Sequence, residues 1–394
     1  MSKDETRGGS PTTRLSHGGR KQAYAGAVNV PPFRASTILF DDVDHLNRAD
    51  PDWLETRYGR IGNPSSRAFE EAMAELEGGY RAVSFGSGLQ AITTALLAFC
   101  KAGDHLLVTD SCYGPTREFC RQMLAGLGVE VEFYDPLIGA GIEALFRPNT
   151  RALFLESPGS LSFEVQDVPA MTAAARARGI VTLLDNTWAA GWFYRPLKHG
   201  VDVSIQAATK FIAGHADANL GVAVCTEDAF RPVKTAAVLL GACAGSEDLY
   251  LGLRGIRTLG LRMERHQRTG LALAQWLASR PEVARILYPA RPEDPGHSLW
   301  KRDFTGASGL FTVELKPVPR RAVSAMVDAL TLFGIGFSYG GFESLVLPTN
   351  PAKSRSATEF KAEGPLVRIH CGLEEPADLI ADLEKGFAIM ETAQ

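Results

Sequence analysis

The chain has 394 residues, 45% of them apolar, with 41 Lys and Arg against 45 Asp and Glu and a formal net charge of −4. That length exceeds one ordinary core and points to a larger and a smaller domain. The near balance of interspersed charges gives no electrostatic footprint for nucleic acid or an anionic membrane, which leaves small-molecule chemistry. Met1 to Ser10 is charged and Gly/Ser-rich without an apolar core, and no uncharged apolar run reaches membrane-spanning length, so a cytoplasmic location is expected. The six cysteines include no Cys-x-x-Cys pair, which reads as reduced thiols and no metal site.

Residues 1–65 lack sustained periodicity and carry Gly, Pro and Asn punctuation, so they read as an irregular arm. From residue 66 the pattern becomes regular. Apolar runs at 81–84, 105–109, 129–134, 151–156, 180–184, 201–206 and 220–225 alternate with helical stretches and predict a mainly parallel sheet covered on both faces. This α/β domain is expected over 66–260. A helix over 261–279, closed by Pro281, opens a smaller α/β domain over 261–394. Its strand candidates are 309–315 and 366–370, and leucines at helical spacing place a last helix over 376–387.

Three features in the larger domain carry chemistry. Gly86-Ser87-Gly88-Leu89-Gln90-Ala91 follows the strand 81–84 and opens a helix, where free backbone N–H groups can bind phosphate oxygens. The same stretch satisfies the dinucleotide fingerprint, and Asp110 ends the next strand near the place of a ribose-binding acid, so an NAD-dependent dehydrogenase is a rival reading. Asp185 and Lys210 each follow the carboxyl end of a predicted strand, the edge where ligands bind in open α/β sheets. A lysine so placed can bind an aldehyde covalently, and the acid can keep a pyridine nitrogen protonated. Pyridoxal 5'-phosphate uses all three features, whereas NAD leaves Asp185 and Lys210 unexplained. Cys112 has no identifiable base partner and reads as a buried thiol, and His215 reads as a local hydrogen-bonding residue.

Around these residues lie Tyr58-Gly59-Arg60, 75–79, 155–159, 185–190, 204–210 followed by Gly214-His215, 299–309, 339–344 and 366–370. With these stretches the chain resembles, over nearly its whole length, the Cys/Met-metabolism family of pyridoxal-phosphate enzymes. The resemblance implies a type I aminotransferase-like fold with a mainly parallel seven-stranded sheet domain, a smaller C-terminal domain and an N-terminal arm reaching a neighbouring subunit. A homotetramer with active sites shared across a dimer is implied too.

By the family pattern Lys210 carries the cofactor and moves protons, Asp185 faces the ring nitrogen, and Tyr113 stacks on the ring and takes a proton from the incoming amine. Gly88, Leu89 and Thr209 hold the phosphate, joined by Tyr58 and Arg60 of an adjacent copy. Arg368 clamps the substrate carboxylate, with Ser338 and Tyr339 closing over it. Ala207 stands where many relatives carry a phosphate-binding Ser. The implied activity is carbon–sulfur β-cleavage of L-cystathionine to homocysteine, pyruvate and ammonia, in methionine biosynthesis. Family members acting at the γ-carbon, and O-acylhomoserine sulfhydrylases, are the alternatives, and Arg60-Ile61-Gly62-Asn63-Pro64 resembles the γ pattern.

Overall fold

A computed structural model describes residues 10–20 and 24–393; the start of the predicted arm, 1–9, lies outside them. The seven predicted strands form one sheet: β1 Arg81–Phe85, β2 His105–Thr109, β3 Glu130–Tyr134, β4 Thr150–Glu156, β5 Val181–Asp185, β6 Val203–Gln206 and β7 Gly221–Cys225. Their order is β1-β7-β6-β5-β4-β2-β3. β3, β2, β4, β5 and β6 run parallel, and β7 runs antiparallel to both β6 and β1. The pleat divides the apolar side chains between two faces. Leu107, Leu153, Leu155 and Leu184 enter one buried cluster, while Leu106, Val108, Phe154 and Leu183 enter the other. Such double burial is what makes these strands near-continuous apolar runs.

The second sheet holds β8 Val283–Leu287, β9 Leu310–Leu315, β10 Gly334–Ile335, β11 Leu345–Thr349 and β12 Leu366–His370, in the order β10-β11-β12-β9-β8. Only β9 and β12, the adjacent strands buried along their whole length, stand out in the sequence. The helix Leu259–Ala278 runs between the sheets in the chain, and the last helix is Pro376–Thr392, longer than its leucine spacing suggested. We keep residue 260 as the proposed domain division, since each sheet's strands fall wholly to one side of it. One apolar cluster nonetheless runs through both, from Leu184 to Val313. Among the described residues no helix is long and apolar enough to cross a membrane.

Asp110, the acid that a dinucleotide reading assigns to a ribose, is committed inside the protein. Its carboxylate accepts from Arg117 Nη2, from the N–H groups of Ser356 (3.0 Å), Ala357 (3.0 Å) and Thr358 (2.8 Å), and from Thr358 Oγ1 (2.7 Å). No acceptor is left over for a sugar, which removes the ribose-binding acid from that reading. Its place is structural: it pins the 356–358 segment to the end of β2. Burial alone would raise this carboxyl, but the bonds from Thr358, Arg117 and Ser356 outweigh it and hold the group below the usual range. Replacing Asp110 by Ala leaves the Arg117 guanidinium buried and unpaired, so denaturant melts should lose about 3–5 kcal/mol. The depressed acid also means that the pair's contribution is full above the ordinary carboxyl range and falls away as pH drops.

Candidate active site

Lys210 lies beyond the end of β6 in a tight turn. Its N–H donates to Ala207 O (3.0 Å), and its carbonyl accepts from Gly214 N (2.8 Å). Gly340 rests directly on this backbone: a Cβ there would stand 2.8 Å from the Lys210 carbonyl carbon, and φ is +83°. Only glycine meets both demands, which accounts for the residue at 340. Lys210 Nζ donates to Ser338 Oγ at 2.6 Å and stands 5.0 Å from the centroid of the Tyr339 ring. Burial first, then the charge of Arg368, lowers the amine to about 8 against the opposing pull of Asp185. An amine in that range is an effective proton acceptor near neutrality.

Asp185 ends β5 and is 9% exposed. Its Oδ1 accepts from Thr187 N (2.9 Å), and Thr187 Oγ1 accepts from Ala207 N (2.9 Å), so one threonine links the two strand ends. Burial raises the Asp185 carboxyl, with Thr187 and then Lys210 opposing. A cationic ring nitrogen placed beside it would favour the carboxylate.

The anion cup is the start of the helix Gly88–Phe99. Ser87 takes up the N–H groups of Gln90 through Oγ (3.1 Å) and of Ala91 through its carbonyl (3.1 Å). Among the described residues those of Gly88 and Leu89 meet no acceptor, as the first turn of a helix requires. Gly88 lies so close to residue 207 that a Cβ would stand 2.4 Å from Ala207 Cβ. Thr209 flanks the same cup, although its Oγ1 accepts from Leu220 N (2.9 Å) and donates to Leu220 O (3.2 Å). Only that donated hydrogen is available to a phosphate.

Tyr113 follows β2, is 43% exposed, and donates its backbone N–H to Glu156 Oε2 at 2.7 Å. Burial, then Asp185 and Glu156, raises its hydroxyl above the ordinary value, so a proton-accepting role works against the local field of the free chain. Arg368 on β12 is 9% exposed, and its Nη2 donates to Ser338 O at 2.8 Å. Among the described residues it forms no ion pair, and its Nε has no partner. Ser338 has φ +88°, a costly conformation for a serine, and it contacts Lys210 with its hydroxyl and Arg368 with its carbonyl. The Tyr339 ring lies 6.0 Å from Arg368 Cζ.

Lys210, Asp185, Tyr113, Arg368, Ser338 and Tyr339 therefore come together, with Gly88, Leu89 and Thr209 at the cup. Tyr58 and Arg60 do not join them within the chain. Arg60 Nη1 donates to Val238 O (3.0 Å) and its guanidinium lies over Tyr58, which is 42% exposed. Cys112 is buried, and burial pushes its thiol far up. His215 Nδ1 lies 2.7 Å from Ala213 O, and no group of His, Cys, Asp and Glu suited to a metal occurs among the described residues. The sequence reading gave no role to Glu156 or Thr187; the available signal was that Glu156 ends its strand just as Asp185 does.

These residues fit pyridoxal phosphate. A half-buried amine lies in the turn beyond β6 and a buried carboxyl ends the neighbouring β5, and a helix start with free N–H groups closes against Ala207. Residues 12–388 match the sequence profile of the Cys/Met metabolism PLP-dependent enzymes. The chain is 47% identical to a putative cystathionine beta-lyase of Rhizobium johnstonii, covering 95% of each chain. It is 44% identical to the cystathionine beta-lyase MetC of Escherichia coli, covering 95% of this chain and 98% of that one. The solved structure of cystathionine gamma-lyase from Lactobacillus plantarum, complexed with L-serine, superposes with a TM-score of 0.88 at 30% identity over 97% of this chain and all of that one (100%). Profile, relatives and fold agree over almost the full length, and the chain belongs to the Cys/Met metabolism family of PLP-dependent enzymes.

Proposed function

We propose that the protein is a carbon–sulfur β-lyase that consumes L-cystathionine and water and releases homocysteine, pyruvate and ammonia. The observation that carries this reading is the pair of contacts at Ser338. Lys210 Nζ and the Arg368 guanidinium are tied to the same residue at 2.6 and 2.8 Å, so an amino acid held by its carboxylate at Arg368 offers its Cα to Lys210.

Pyridoxal phosphate, when bound, supplies an aldehyde that condenses with amines and a ring that accepts electrons from Cα. The chain does the rest. Arg368 binds the α-carboxylate through its guanidinium fork, and Asp185 holds the proton on the ring nitrogen. Lys210 takes the proton from Cα and returns it to the sulfur leaving from Cβ, while Ser338 orients its amine. Gly88, Leu89 and Thr209 would hold the phosphate, and Tyr113 would pack against the ring. Tyr58 and Arg60 serve the phosphate of a neighbouring subunit, so sites are shared across a dimer; a cytoplasmic homotetramer built from two such dimers is the form that we propose.

Support for β- over γ-cleavage comes from the relatives at 47% and 44% identity, both named as β-lyases. The fold does not choose, since a γ-lyase shares it. Incubation with L-cystathionine decides: pyruvate with homocysteine is the expected result, and 2-oxobutyrate with cysteine would overturn the β assignment.

A further inference from the structure

Across the carboxyl edge of the first sheet, β2, β4, β5 and β6 stand side by side and lead, in that order, to Tyr113, Glu156, Asp185 and Lys210. Three of these have roles above, and Glu156 stands in the middle of the row. It is 8% exposed and is the register partner of Asp185. Neighbouring strands lie about 4.8 Å apart and register partners share a face, so the two acids are side by side.

Glu156 is framed from both directions. Its Oε2 accepts the N–H of Tyr113 at 2.7 Å, and its own N–H donates to Gln166 Oε1 at 3.0 Å. Gln166 is fully buried and its Nε2 donates to Thr109 Oγ1 and Tyr134 Oη, both at 3.2 Å. Glu156 therefore joins the end of β4 to the turn that follows β2, the turn that carries the stacking ring.

We infer that Glu156 is a positioning residue of this site: it anchors the main chain of Tyr113 as an uncharged acid, leaving Asp185 as the one carboxylate that faces the ring nitrogen. Two adjacent buried carboxyl groups do not readily ionise together. Burial first, then the charge of Asp185, pushes Glu156 well above the usual carboxyl range, with only the Tyr113 N–H opposing. Burial raises Asp185 too, but Thr187 and Lys210 oppose that rise, whereas Glu156 has only the Tyr113 N–H, so Asp185 is the one of the two that ionises more readily. The inference rests on reading the site as one for pyridoxal phosphate and is independent of the substrate.

The test compares wild type, Glu156→Gln and Glu156→Leu. The readouts are the dissociation constant for pyridoxal phosphate, from quenching of protein fluorescence in the apoprotein, the circular dichroism of the bound cofactor's visible band, and kcat and KM. Loss of the Tyr113 anchor in Glu156→Leu should weaken cofactor binding about tenfold and change the dichroic band, the scale of one hydrogen bond. It should lower kcat more than it changes KM. Glu156→Gln is neutral and still accepts from Tyr113 N, so it should stay within about threefold of wild type throughout. A Gln variant as impaired as the Leu variant overturns the inference, and so does a Leu variant with wild-type affinity and dichroism. If the Leu variant does not fold, the Gln variant decides alone: a loss beyond about tenfold in cofactor affinity sinks the idea. Failure of wild type to cleave cystathionine, with these cofactor readouts intact, would count against the proposed substrate only.

Discussion

Lys210→Ala should lose pyruvate release from L-cystathionine by about 10⁴-fold or more, because one side chain is asked to carry the cofactor, take the Cα proton and return a proton to sulfur. No neighbour can stand in. Arg368 cannot accept a proton at working pH, the Tyr113 hydroxyl is raised above its ordinary value, and Ser338 is placed to receive a hydrogen bond from Lys210. Borohydride treatment gives a second readout that does not depend on turnover. Wild-type protein should retain cofactor mass at residue 210 by peptide mass spectrometry, and the variant should retain none there. Activity within about a hundredfold of wild type would refute the role, since loss of a general base alone costs that much or more.

How far the sequence led differs between the two sheets, and burial is the reason. β2 and β7 are buried along their whole length and β4 from Ala152 onward, so each reads as an apolar run between punctuation. β8 lies at an edge and is exposed at Ala284 and Arg285, β10 has two residues, and β11 contains Pro348, so none offers a strand pattern. The same logic governs the site. Asp185 and Lys210 were legible because strand ends are, and the phosphate cup because its glycines are. The tie from Lys210 to Ser338 spans 128 residues and needs a serine at φ +88°, which no local pattern announces. The bond from Thr209 to Leu220 was hidden likewise, and it narrows what the threonine can offer a phosphate to one donated hydrogen. Glu156 escaped notice although it sits at a strand end, because one acid beside another in space is a property of register, not of sequence spacing.

Arg368→Ala should raise KM for L-cystathionine about a hundredfold while lowering kcat less, the scale of losing a charge-assisted, two-pronged carboxylate contact. The argument starts from an uncompensated cation. Arg368 is 9% exposed, donates to one carbonyl and forms no ion pair among the described residues, so the chain holds a buried positive charge that an incoming carboxylate can neutralise. Arg368→Lys should recover only part of the loss, because an ammonium cannot reproduce the planar fork. Arg368→Ala should also move Lys210. The charge of Arg368 is one cause, after burial, of the amine's fall to about 8, so its removal makes the protonated amine less costly and the amine titrates at higher pH. Capture of pyridoxal phosphate by the apoprotein needs the free amine. Its rate should therefore rise with pH through a midpoint near 8 in wild type, and through a higher midpoint in Arg368→Ala. Stopped-flow absorbance across pH 6 to 10 measures both midpoints. A midpoint that falls or stays in place, together with an unchanged KM, would show that Arg368 neither binds the carboxylate nor sets the field at Lys210.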